Sequence, residues 1–405
     1  MGTPLMLKSF WLNQLFWKIG PCFEFYMTWN VSQKRYHVTE THTRLLPWYL
    51  LGLLPLTIYV ALLIFLLTIG LNHPATDSII NWLVTVLLLM DSGYAFIMNL
   101  YFLNLKNSHA FFDYYNAILQ FTQRLSPHEN TTNMQSQIRK FNLDLNDKLG
   151  IGLNILVLYM AMCPFLVALC MGYLSLRFHL RFEPVYLTLL NFLPVNQVNA
   201  FYSSPIFILS YCSTFVLFTM YEIFRVFSAT IVGLLVNFYC IKQALFSINK
   251  MATQNRTLAA ITEYKRLMVL QEAGKKTMAF VVFMLMGIGY CLIGLSASVT
   301  VMGFNNLPLQ IYWVFPAITA IGTLVLTVAL PNITQLYGLS GNMLRGWKLN
   351  TAGRGSLYVK KSFKALRPIC FNFASIRKLN DESKVIYIDS IIERVMDGIL
   401  CLQTA

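Results

Sequence analysis

The apolar positions of this chain gather into runs of membrane length. A bilayer-spanning helix needs about 20 mostly apolar residues, because a rise of ~1.5 Å per residue must cover a hydrocarbon layer ~30 Å thick. Leu45–Leu71, Ile79–Leu103, Leu149–Leu176, Thr277–Met302 and Ile311–Leu330 each meet that length. A further run, Ile206–Ile241, is too long for one simple crossing and contains Glu222 and Arg225. Those two stand three apart, on one helical face, where they can pair. No turn signal divides the run, so it reads as one crossing with a helical extension beyond the membrane.

Val385–Leu402 is a different kind of segment, because Asp389, Glu393, Arg394 and Asp397 fall inside it. A charge facing lipid at mid-depth costs roughly 2.5–3.5 kcal/mol on insertion scales. Two readings are open. The helix crosses the membrane with its acids turned to water, or it lies on the inner surface with its polar stripe in solvent and Ile386, Ile388, Ile391, Ile392 and Val395 against protein or headgroups.

Composition and charge sharpen the picture. The 405 residues are 56% apolar and only 12% charged, with a net charge of +14 and a mean hydropathy of +0.56. Soluble domains carry about 25% charged residues, so a soluble enzyme is excluded. Nucleic acid is excluded as a partner too, since the basic residues lie in stretches between apolar runs, as loops beside anionic lipid do. Of the 31 Lys and Arg residues, 27 fall in alternate loops and 2 in the others, with Arg225 and Arg394 inside apolar runs. The positive-inside rule then places the N-terminus in the cytoplasm and, with seven crossings, the C-terminus outside.

That orientation excludes the G-protein-coupled receptors, whose N-terminus faces outward. Local sequence agrees, since the third run ends Leu174-Ser175-Leu176-Arg177 with no acidic-Arg-aromatic triplet, and no Asn-Pro-x-x-Tyr occurs in the last helix. The eight cysteines avoid the external loops, so no disulfide is expected. The sequons at Asn30, Asn130, Asn255 and Asn332 fall on the inner side and should stay unglycosylated. There is no metal-spaced His/Cys set, phosphate loop or nucleophile elbow, hence no enzyme and no cofactor is expected.

The C-terminal tract Leu366-Arg367-Pro368-Ile369-Cys370-Phe371-Asn372-Phe373-Ala374, a short gap, and then Val385 to Gln403 resembles the end pattern of the insect gustatory and odorant receptor superfamily. Gln403 matches the family's glutamine, and Gly398 to Leu402 fill the five apolar positions before it. Met396 and Asp397 stand where the gustatory pattern has Thr-Tyr, and Thr404 replaces its Phe, which marks a divergent gustatory-receptor-like member. The resemblance implies an all-α, seven-transmembrane bundle and a ligand-gated, non-selective cation channel in the plasma membrane. It implies a homotetramer, or a hetero-tetramer with related receptors, whose last helices line a central pore. It also implies cytoplasmic helix ends forming an intersubunit anchor, and a small organic tastant or odorant bound in an outer-half pocket of each subunit. Four segments follow: 1–44 as a cytoplasmic segment with an interfacial helix over Phe10–Trp29, 45–337 as six crossings, 338–384 as a basic loop or anchor, and 385–405 as the last helix.

Candidate residues follow from the topology. Asp389, Glu393 and Asp397 recur every fourth residue on one slowly drifting stripe and would attract cations in a lumen, with Gln403 at the external mouth. Met396 and Leu400 fall near the same face, where apolar rings can close a path by dewetting. Arg394 argues against a simple acidic ring and suggests a pair with an acid on a neighbouring helix. Trp82, Phe165, Tyr173, Tyr211, Tyr312 and Trp313 lie at external helix ends, as walls of a ligand pocket or as an interfacial aromatic belt. Asp91, midway along the second run, is either a ligand or gating contact or the partner of a polar neighbour such as Ser92. A transporter is the competing reading, although the internal repeats usual in transporters are not visible.

Overall fold

The structure is a computed structural model that describes residues 12, 13, 15, 16, 27–30, 35–39, 42–68, 79–125, 148–178, 184–254, 256–302, 312–351, 357–373, 377–378 and 381–403. An antiparallel hairpin, β1 (Met27–Asn30) and β2 (Arg35–Val38), precedes the helices. Helix α1 (His42–Trp48) passes through a π turn, Tyr49–Leu53, into α2 (Leu54–Thr68). Then come α3 (Ile79–Leu103), α4 (Leu105–Leu125) and α5 (Lys148–Phe178). Two short helices follow, α6 (Pro184–Phe192) and α7 (Val195–Ser203). Helix α8 (Pro205–Tyr211) continues through a second π turn, Cys212–Val216, into α9 (Leu217–Thr253). The chain finishes with α10 (Thr257–Met302), α11 (Val314–Thr351), α12 (Leu357–Ala365), a two-residue hairpin of β3 (Asn372–Phe373) and β4 (Arg377–Lys378), and α13 (Asp381–Gln403).

Among the described residues six helical stretches are long and apolar enough to cross a membrane: Leu45–Thr68, Trp82–Leu103, Ile151–Tyr173, Pro205–Thr253, Thr257–Val301 and Phe315–Leu349. Charge keeps α13 out of that set, yet it lies lengthwise against α10 and α11 and completes a bundle of seven. The run Ile206–Ile241 lies within one continuous helical stretch, Pro205–Thr253, with the π turn inside it. It is also the centre of the bundle, since 83% of its most apolar window is buried against 19–44% for the other five.

The basic end of the bundle holds more helix than apolar run length predicts. At 46 residues α10 is about 69 Å long, more than twice the hydrocarbon thickness. The tail of α9 and the last turns of α11 extend past the apolar layer beside it. Helix α4 lies in the first part of the basic stretch 104–148, which its polarity marks in the sequence as loop. Its Phe111, Tyr115, Ile118, Leu119 and Thr122 recur at three- and four-residue spacing and are buried against α9 and α10. The expected interfacial helix over Phe10–Trp29 lies mostly outside the described residues, and Met27–Trp29 belongs to β1. Asn116 of α4 grips the hairpin: its Nδ2 donates to the Tyr36 carbonyl at 2.9 Å and its Oδ1 accepts the Tyr36 amide at 2.8 Å. The rings of Tyr36 and Tyr115 meet edge to face at 5.3 Å, and burial pushes both phenols well above their ordinary pKa, so neither ionises.

Close approach fixes one glycine here. A Cβ on Gly274 of α10 would stand 2.3 Å from Cδ2 of Tyr114 on α4. Gly274→Ala is therefore expected to destabilise the protein by roughly 1–3 kcal/mol, read as loss of the monodisperse chromatographic peak at lower temperature.

At the opposite, weakly charged end, α6 and α7 form a cap over α2. Tyr186, Leu187, Leu190, Val198 and Tyr202 bury themselves with Leu66, and Phe65 stacks on Phe192 at 5.5 Å. From Pro184 to Pro205 this cap has no charged residue, and Phe192 and Phe201 remain at least half exposed.

Candidate functional site: the last helix and the charged interior

Helix α13 divides cleanly into two faces. One is fastened to α10: the Tyr387 hydroxyl donates to the Met286 carbonyl at 2.6 Å, and that of Tyr290 donates to the Ser390 carbonyl at 3.2 Å. The Ser298 hydroxyl reaches the Val395 carbonyl at 3.4 Å, and Ile391 is buried. At 100° per residue the direction opposite Tyr387, Ile391 and Val395 passes within about 40° of Asp389, Glu393, Met396 and Leu400. All four are exposed, as are Val385, Ile392 and Asp397 on the flanks. Gln403 ends the helix; its side chain lies outside the described residues.

The three acids and both candidate gate residues therefore share a surface that the chain's own bundle leaves uncovered. The large apolar side chains among them make it unsuited to water on one side only. Arg394 departs from expectation. Its Nη1 stands 3.5 Å from Oδ2 of Asp397 on its own helix, three residues on, and not beside an acid of a neighbouring helix. That spacing is the ordinary side-by-side geometry of an α-helix, and both groups are exposed.

The ion pair of Glu222 and Arg225 is present, and both side chains are fully buried in α9. Sequence spacing identified the pair; it missed what surrounds it. The indole Nε1 of Trp48 donates to Glu222 Oε1 at 3.1 Å, and Asn99 Nδ2 donates to the same oxygen at 2.9 Å. The Arg225 guanidinium lies 5.5 Å from the centre of the Tyr221 ring and 6.0 Å from that of Trp48. Tyr221 and Ser228 hold the N-terminal segment through the Phe16 carbonyl and Asn13 Oδ1. Glu222 and Arg225 thus tie α9 to α1 and α3, with Tyr221 and Ser228 adding the segment before them.

The aromatic candidates do not converge. Trp82, Phe165, Tyr173 and Trp313 are exposed on the outside of the bundle, as an interfacial belt would be. Tyr211 and Tyr312 turn inward. Tyr211 stacks between Phe207 and Phe215 beside the core of Ile208, Cys212 and Val216. Tyr312 packs on the cluster of Leu87, Leu292, Val299 and Phe315. Asp91 sits one turn beyond Leu87 and is not paired with Ser92, whose hydroxyl donates to the Leu88 carbonyl at 2.6 Å. An open groove of about 470 Å³ lies at the basic end between Asn249, Thr253, Asn342 and Trp347, remote from every one of these residues.

No protein-family model matches the sequence, and no curated protein matches it either. Among solved structures the chain is similar to the insect olfactory receptor OR5 of Machilis hrabei, determined in complex with eugenol, with a TM-score of 0.55. The likeness covers 99% of this chain and 98% of that one at 11% sequence identity. The chain has the insect olfactory receptor fold. The likeness takes in the whole seven-helix bundle, α13 included. The receptor likeness spans the short helices of the cap and the helical extensions at the basic end, because almost nothing of either chain is left unmatched.

Proposed function

We propose that this protein is a chemosensory receptor of the insect gustatory and odorant type, a non-selective cation channel opened by a small organic ligand. The observation that carries the proposal is α13: a charged helix packed along α10 and α11 of the membrane bundle, with Asp389, Glu393 and Asp397 turned away from its own chain. A full-length likeness to an olfactory receptor determined with eugenol supports the same reading. In a tetramer, of identical or related subunits, four such faces would meet around one axis and line the pore. Met396 and Leu400 form its gate, and Gln403 its outer mouth. The N-terminus lies in the cytoplasm, and the basic ends of α9, α10 and α11 form the anchor between subunits. The ligand enters from the weakly charged end, where Tyr211 and Tyr312 face inward, and reaches Asp91 midway along α3; the receptor works in the plasma membrane as a taste-type sensor.

Two measurements test this. An epitope tag after Ala405 should be labelled on intact cells; labelling only after permeabilisation removes the proposed orientation. Whole-cell recording from cells expressing the chain should show a cation current, basal or evoked by a panel of sugars, bitter compounds and volatiles. Ligand uptake without current would favour a transporter.

A further inference from the structure

Asp91 occupies an unusual position. At 100° per residue Leu87, Tyr94, Ala95 and Met98 all lie within about 60° of it on α3. Those four are buried, the most accessible being Leu87 at 4%, whereas Asp91 itself is partly accessible. Asp91 therefore lies on the face of α3 that packs into the bundle, not on the face turned to lipid. Among the described residues it makes no hydrogen bond and no ion pair. The two basic residues inside the apolar runs are engaged elsewhere, Arg225 by Glu222 and Arg394 by Asp397. A carboxylate held in an apolar interior without a counter-charge is costly, and such groups inside membrane bundles mark functional sites.

The surroundings supply the rest of a recognition site. Tyr94, one turn from Asp91, stacks on Phe227 at 4.5 Å, its hydroxyl 2.7 Å from that of Thr230. Leu87, one turn the other way, belongs to the cluster that includes Phe315 and Tyr312. A carboxylate with aromatic side chains in the packing one turn to either side suits a protonated amine, through a charge-assisted hydrogen bond and cation–π attraction. We infer that the ligand is a small organic amine bound as its ammonium ion, with Asp91 as its counter-ion. This deepens the ligand-gated reading above and depends on it only for the existence of a ligand.

The test is thermal melting of the purified full-length protein in nanodiscs. Matched pairs are added: 2-phenylethylamine against 2-phenylethanol, and hexylamine against hexanol. At least one amine should raise the wild-type melting temperature at concentrations where its alcohol does not. Asp91→Asn should weaken the amine response by about 10- to 100-fold and should itself melt above the unliganded wild type. Equal stabilisation by amine and alcohol, response to neither amine, or an undiminished amine response in Asp91→Asn overturns the inference. Should that variant fail to fold, the wild-type comparison of matched pairs decides alone. Because melting needs no ion flow, a protein that binds amines but conducts nothing would defeat the channel reading and leave this one standing. Currents evoked by alcohols and by no amine would do the reverse.

Discussion

Replacing Glu222 with alanine is expected to abolish surface expression of the folded protein. The substitution strands the Arg225 guanidinium, which is fully buried, and leaves the donors of Trp48 and Asn99 without their shared acceptor. Breaking a buried pair by removing one partner costs about 3–5 kcal/mol. Folded proteins have only about 5–15 kcal/mol in total, so the loss removes a large part of it. Glu222→Gln keeps an acceptor for Trp48 and Asn99 but not the counter-charge, and should fall between. Replacing both members together, Glu222→Leu with Arg225→Met, should restore much of the stability, since hydrophobic substitutes for buried pairs are often neutral or better. Heated detergent extracts run by fluorescence-detected size exclusion give the ranking. A Glu222→Ala protein melting with the wild type would mean that the interior charge is compensated by something other than this carboxylate.

The second large effect is on permeation. A carboxylate about 7 Å from a pore axis attracts a monovalent cation by roughly 0.6 kcal/mol at the dielectric of water, and four of them by roughly 2.4 kcal/mol, enough to enrich cations about 50-fold. Asp389→Asn with Glu393→Gln is therefore expected to collapse the preference for cations over chloride, seen as a shift of reversal potential in dilution experiments. Asp397→Asn should matter least, because Arg394 already stands 3.5 Å from it. Arg394→Gln should strengthen cation preference for the same reason. Raised ionic strength should blunt all four effects, as the Debye length is about 8 Å at physiological salt. Reversal potentials indifferent to all four changes would remove α13 from the conduction path.

What the sequence displays is whatever depends on run length and spacing. The six apolar helices, the unbroken passage from Pro205 to Thr253 and the Glu222–Arg225 pair are all local patterns. The stripe Asp389, Glu393, Asp397 is legible too, because a four-residue spacing fixes its face. Which way that face turns is not, since it depends on Tyr290 and Ser298 lying about 100 residues away in sequence. Trp48 and Asn99 were invisible as partners of Glu222 at separations of 174 and 123 residues. Helix α4 carried a readable signal in its three- and four-residue apolar spacing, obscured by its place between basic residues in a stretch too polar to span. The outward exposure of Trp82, Phe165, Tyr173 and Trp313 shows the opposite failure, where aromatic character at a helix end says nothing about which side of the helix it occupies.

Helix α10 runs 46 residues with no proline anywhere along it, unlike α5 and α11, which enclose Pro164 and Pro331. It touches α4 near one extremity and grips α13 near the other. Without a proline kink to absorb displacement, it would act as a stiff pushrod. A tilt imposed at the foot by whatever binds there would be carried to Tyr290 and Ser298, so mechanical strain at the base and chemical stimulus at the top would act on the same moving part.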